Sequence, residues 1–115
     1  MKKVLIPFVL VLLTIVLSLL VGSCSKKTPL PKDKLDYIGV WVSTTQDTIL
    51  IRGDGSGDCK VANTSVSGGV VRFEQGNTLI IEQFGIGPKM KIVSQPKQEN
   101  EKWTMNLDGI IYTKL

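Results

Sequence analysis

The run from Val4 to Val21, apolar apart from Pro7, Thr14 and Ser18, takes so much of a 115-residue chain that only one small domain can follow it. Lys2 and Lys3 precede the run, and Gly22-Ser23 follow it. A charged start, an apolar stretch and a small-residue zone are the three parts of a secretory signal, so the chain reads as exported. The run approaches the roughly 20 residues that cross a bilayer, which makes an uncleaved membrane anchor the competing reading. Without the head, the 14 basic residues fall to 12 against 10 acidic ones. That residual positive charge is too weak to point to nucleic acid.

The residue after this zone separates the two readings. Val21-Gly22-Ser23-Cys24 resembles the lipobox of bacterial lipoproteins, an aliphatic residue and two small ones ahead of a cysteine at the end of the apolar stretch. The resemblance implies that diacylglycerol is attached to the Cys24 sulfur and that a dedicated peptidase cuts between Ser23 and Cys24. Segment 1–23 is then removed, and the mature chain is tethered to the membrane rather than spanning it. Acyl chains anchor stably when two are present, each buried methylene contributing about 0.8 kcal/mol. Similarity to lipoproteins of double-membraned bacteria implies one further detail. Ser25, where Asp would retain the protein in the inner membrane, points to the outer membrane facing the periplasm, although Lys26 weakens that sign.

Residues 24–34 contain no aromatic side chain and are rich in lysine and proline, which gives them nothing with which to fold. They read as a flexible tether in extended polyproline geometry, at about 3.1 Å per residue. Lys26, Lys27, Lys32 and Lys34 can press against anionic head groups, each worth about 1 kcal/mol there. A solvated spacer is the simpler expectation.

From Leu35 the pattern changes to short runs of Val, Ile, Thr and aromatic residues separated by Gly, Asn, Asp and Pro. Strands are predicted near 37–43, 47–52, 59–62, 70–74, 78–84, 89–95, 102–107 and 110–114. The breaks between them, such as Gly53-Asp54-Gly55, Gln75-Gly76-Asn77 and Asp108-Gly109, hold residues that tolerate positive φ. Alternation is clear where Val71 and Phe73 stand against Arg72 and Glu74, and where Trp103, Met105 and Leu107 stand against Thr104 and Asn106. The fold class expected for 35–115 is all-β, an antiparallel meander of about eight short strands. Closing it into a small barrel removes its edges most economically. A small β-sandwich is the alternative, and a domain of this size should fill its interior with its own side chains.

Gly39-Val40-Trp41, opening the first strand, resembles the Gly-x-Trp signature of lipocalins and their small bacterial relatives. The resemblance implies that Trp41 plugs one end of a barrel and that a basic residue of the last strand packs over it. Lys114 is the matching residue, and cation–π attraction supplies the physical reason. Architecture rather than activity follows from such a likeness.

The sequence contains no histidine, which removes the commonest general base, triad partner and metal ligand together. No serine stands in a nucleophile motif, so no enzyme, catalytic residue or cofactor is expected. Cys59 is the only thiol left once Cys24 is acylated, and it reads as a small buried residue rather than a reactive one. Asp54-Gly55-Ser56-Gly57-Asp58 places oxygen side chains at alternate positions, as a calcium loop begins. The glutamate such a loop needs further on is missing, because Asn63-Thr64-Ser65 stands there, so a glycine-rich turn and no metal are expected. Arg52-Gly53-Asp54 and Asn63-Thr64-Ser65 also match an adhesion tripeptide and a glycosylation pattern, and both read as chance.

Two functional classes remain, a protein-interaction module held in the cell envelope and a lipocalin-like carrier or sensor of a small apolar ligand. A carrier needs a cleft of about 300 Å³ or more, which the short chain disfavours. Phe84-Gly85-Ile86-Gly87-Pro88 favours the module, since it puts apolar side chains at a hairpin end where water selects polar ones. Phe84 and Ile86 form the expected contact surface for an envelope protein, unless they fold back over the barrel mouth. Processing is testable directly: Cys24→Ser should abolish metabolic labelling by a fatty-acid analogue and leave the uncut precursor. Labelling that persists in this variant contradicts acylation at Cys24.

Overall fold

Short alternating runs separated by turn residues pair with their neighbours in the chain, and in the computed structural model, which describes residues 27–115, they do so all the way round. Val21, Gly22, Ser23 and Cys24, with the cleavage and acylation expected at them, lie outside the described residues. A 3-10 helix over Lys32–Tyr37 precedes eight strands, β1 (Gly39–Ser43), β2 (Thr48–Ile51), β3 (Ser56–Val61), β4 (Thr64–Glu74), β5 (Thr78–Glu82), β6 (Lys89–Glu99), β7 (Lys102–Leu107) and β8 (Ile110–Lys114). Each strand is antiparallel to the next, and β1 pairs with β8 through Trp41↔Lys114, Val42↔Thr113 and Ser43↔Tyr112. The meander is a closed barrel, not a sandwich. By this up-and-down order, the turns after β2, β4 and β6 share one end with the 3-10 helix, and the turns after β1, β3, β5 and β7 lie at the other.

Several strand bounds differ from the expectation for physical reasons. Tyr37 belongs to the 3-10 helix, so β1 starts two residues later than expected. β4 begins at Thr64 rather than at 70, because Val66 pairs with Cys59 and Gly69 with Gly57, a glycine pair that polarity and composition alone read as loop. β6 runs on to Glu99 across Pro96, where the register with β7 shifts between Ser94 and Lys97. A bulge is one of the few places where a strand tolerates proline.

Alternate residues of the strands meet inside the barrel. Trp41, Ile49, Ile51, Cys59, Val66, Val71, Leu79, Ile81, Met90, Ile92, Met105, Leu107 and Tyr112 form one buried cluster with Tyr37. Burying each large apolar side chain contributes about 1.5–3 kcal/mol, and these side chains occupy the space a ligand would need. β5 departs from simple alternation, since Ile80 and Glu82 are buried although they point away from the cluster. Glu82 accepts a 2.8 Å bond from Arg72 Nε, and the register sets Ile80 between Arg72 and Lys89.

Within 24–34, expected to be a flexible tether, residues from Lys27 onward lie against the barrel. The Thr28 backbone passes so close over Gly55 that a Cβ there would collide with it, and Leu30 N donates to the Gly53 carbonyl at 3.2 Å. Leu30 also packs against the core cluster, and Lys27 pairs with Asp54 at 3.1 Å. One apolar residue among lysines and prolines, together with a glycine turn able to receive the backbone, is enough to dock the segment.

Tyr37 and Tyr112 are the only tyrosines, and both are buried in the cluster. Burial pushes each phenol up to about 12, with Asp33 adding to the effect at Tyr37 and Asp47 and Asp108 at Tyr112. A pKa raised on folding contributes its full stability below the unfolded value near 10 and loses it as pH climbs through 12. Tyrosinate absorbance should therefore be absent at pH 10 and appear only near pH 12, together with unfolding. Half-developed tyrosinate in folded protein at pH 10 contradicts this burial.

Candidate functional site

The chemistry-bearing residues gather at the two ends of the barrel. At the end carrying the 3-10 helix, antiparallel pairing sets Trp41 directly opposite Lys114, so both side chains share one face of the sheet. Thr104 opposite Thr113 brings Trp103, one residue further on, to the other flank of Lys114. The Lys114 ammonium lies 5.0 Å from the centroids of both indole rings and donates to the Asp36 carbonyl at 2.9 Å. Its stem fills the space over Gly39, where a Cβ would stand 3.0 Å from Lys114 Cδ. That contact explains the glycine of Gly39-Val40-Trp41. Trp41 is fully buried, and its indole N–H donates to the Tyr37 carbonyl at 2.8 Å. Burial lowers the pKa of Lys114, and the nearby Asp36 partly offsets the shift.

A second cation completes this closure. Lys34 was expected in a solvated tether, but its ammonium stands 5.1 Å from the centroid of Phe73 and 5.8 Å from that of Tyr37. The two rings pack edge to face at 4.9 Å. Tyr37, Phe73, Trp103 and Lys34 are residues of the closure that sequence reasoning missed. The signal was present in the spacing of Lys34 and Tyr37 on one turn, yet nothing in the chain marks Phe73 and Trp103 as their neighbours.

At the opposite end the β5–β6 connection shows two apolar side chains to solvent. Gln83 and Ile86 exchange backbone hydrogen bonds of 2.9 and 3.0 Å around Phe84 and Gly85, whose φ angles are 55° and 76°. Two positive φ angles in a two-residue turn match the twist of a hairpin and favour Asn-Gly or Gly-Gly. Phe84 adopts this conformation at a cost of roughly 1–2 kcal/mol. It is 93% exposed and Ile86 71% exposed, so neither folds back over the barrel mouth. The two hydrogen bonds that close the hairpin hold this backbone, while the Phe84 side chain itself adds nothing to the core.

The remaining sequence features are structural. Asp54 Oδ1 accepts from the Ser56 N–H at 2.9 Å and from its hydroxyl at 2.6 Å, and with Lys27 these bonds hold the carboxyl well below the usual carboxylate range. Asp58 takes Arg52 Nη2 at 2.8 Å and the Gly68 N–H at 2.7 Å, which lower its pKa in that order. The oxygens and the arginine are thus occupied within the turn, and among the described residues no group of three or more His, Cys, Asp or Glu side chains could hold a metal ion. Cys59 is buried in the core, and its burial raises the thiol pKa. An open depression of about 310 Å³ lies over Val40, Leu50, Asp58 and Lys60 on the outer wall.

No protein-family model matches the chain, and comparison with curated proteins and with solved structures finds no significant match.

Trp41 and Lys114 should differ in weight. Trp41→Ala removes a fully buried aromatic and should cost about 3–5 kcal/mol, enough to unfold so small a domain. Lys114→Met keeps the stem and removes only the charge, with an expected loss of about 1 kcal/mol. Urea denaturation of both variants checks the order, and a Trp41→Ala midpoint equal to wild type contradicts the plug.

Proposed function

We propose that the protein is a lipid-anchored lipoprotein of the cell envelope, facing the periplasm from the outer membrane, whose non-catalytic barrel is a protein-interaction module. The observation that carries the reading is Phe84, an aromatic side chain held at positive φ and almost fully exposed. Other turns of the protein place polar residues such as Gln75 and Asp108 at positive φ, whereas here a large apolar side chain stands in water and buries nothing. Large apolar anchors at a rigid tip contribute to binding by burial in a partner's pocket. Ile86, on the same turn, is also exposed and adds to the apolar area offered. The signal-like head and the motif ending at Cys24 support the envelope placement.

The alternative, carriage of a small apolar ligand, has less support. The interior is occupied by Trp41, Leu79, Ile81, Met105 and their neighbours, so a ligand would have to use an outer depression such as that over Val40 and Leu50.

Changing Phe84 and Ile86 together to Ser tests the module. Chemical crosslinking of wild type in its own envelope should yield a discrete adduct, which the double variant loses while its melting temperature stays within a few degrees of wild type. An undiminished adduct in the double variant defeats the assignment of the tip. A melting temperature that drops by many degrees shows instead that the two side chains support the fold.

A further inference from the structure

The docked N-terminal segment fixes how near the barrel can stand to its anchor. Thr28 lies against Gly55 and Leu30 is bonded to Gly53, so the turn after β2 holds the chain at the 3-10 end of the barrel. Only four residue steps separate Thr28 from Cys24, and a fully extended chain covers at most about 14 Å in that number. The polar layer on each side of a bilayer is roughly 5–8 Å thick. A barrel attached by so short a reach stands against the head groups with its closed end.

That end has the surface such a contact needs. Leu35, on the 3-10 helix, is 49% exposed, and Leu115, directly after Lys114, is 84% exposed. Leu115 N donates to the Val40 carbonyl at 2.8 Å, which fixes it beside the start of β1. Charge at this end is close to balanced, with Lys27, Lys32, Lys34, Lys97, Lys102 and Lys114 against Asp33, Asp36, Asp54, Glu74, Glu99 and Glu101. Attraction to anionic lipid is therefore not the source of the contact, and tether length with apolar insertion is.

We propose that the closed end of the barrel is a bilayer-contacting face, with Leu35 and Leu115 seated in the head-group layer and the Phe84 turn aimed away from the membrane. The proposal rests on acylation of Cys24. Its geometry gives the tip a purpose, because an anchor at one end and an apolar contact at the other let the domain bridge from the membrane to a partner beyond it.

The two tryptophans report on this face, since Trp41 and Trp103 are the only ones in the protein and both flank Lys114. The full-length gene product is purified from its own membranes and placed in phosphatidylethanolamine–phosphatidylglycerol vesicles carrying a head-group nitroxide. Tryptophan emission should fall at least twofold, and the drop should be the same at low and high salt. Leu35→Ser with Leu115→Ser should recover part of the emission, since the tether still holds the end near the head groups. The extra emission contributed by Phe84→Trp should escape quenching. Unquenched native emission, no change in the double-leucine variant, or equal quenching of the emission added at position 84 each overturns the proposal. Mass analysis of the N-terminal peptide in the same preparation separates the two levels. Lipid on Cys24 with failed quenching sinks the membrane face alone, whereas no lipid on Cys24 sinks the lipoprotein reading and the face together.

Discussion

The burial of Trp41 beneath the Lys114 side chain, at the seam of β1 and β8, is the contact on which the closure of the barrel depends. β1 and β8 meet over only three paired positions, and one of them is Trp41 with Lys114. A lysine brought in from water loses solvation, which is why its pKa falls. Two indole faces and the Asp36 carbonyl offset part of that loss and hold the cation at the seam. Through Asp36 and the Tyr37 carbonyl, the same contact fastens the 3-10 helix across the end. Leu30, just ahead of that helix, docks by its own contacts, a bond to the Gly53 carbonyl and packing against the core.

Local alternation made the barrel readable. Where Trp103, Met105 and Leu107 alternate with polar residues and Asp108-Gly109 follows, strand and turn were both legible, and the structure places them as expected. The failures have one origin, which is that the partner rather than the segment decided the outcome. Thr64 to Gly69 carries little apolar signal and becomes strand because Cys59 and Gly57 lie opposite. The stretch beyond Pro96 stays extended because β7 pairs with it. Lys34 has the composition of a tether and turns inward because Phe73, distant in sequence, presents a ring to it.

The candidate site was legible in part. Gly39, Trp41 and Lys114 could be picked out by a family-like pattern, and their mutual geometry supplies the physical reasons for each. Phe84 and Ile86 could be singled out by composition, but only the two-residue turn and its positive φ angles show that they cannot retreat from solvent. The strain at Phe84 and the packing at Lys114 are opposite uses of an aromatic ring, one turned outward at a cost and one buried as part of the core. A small domain built in this way keeps its interior full and leaves Phe84 and Ile86 exposed at a tip.

Exchange of the tryptophan indole protons tests the closure most directly. Trp41 N–H donates to a buried carbonyl, so its proton should exchange with deuterium orders of magnitude more slowly than that of Trp103, which is only half-buried and has no such bond among the described residues. In a nitrogen-resolved spectrum at neutral pH, one indole signal should persist long after the other has gone. Loss of both signals within the dead time of the measurement would contradict a barrel closed by Trp41.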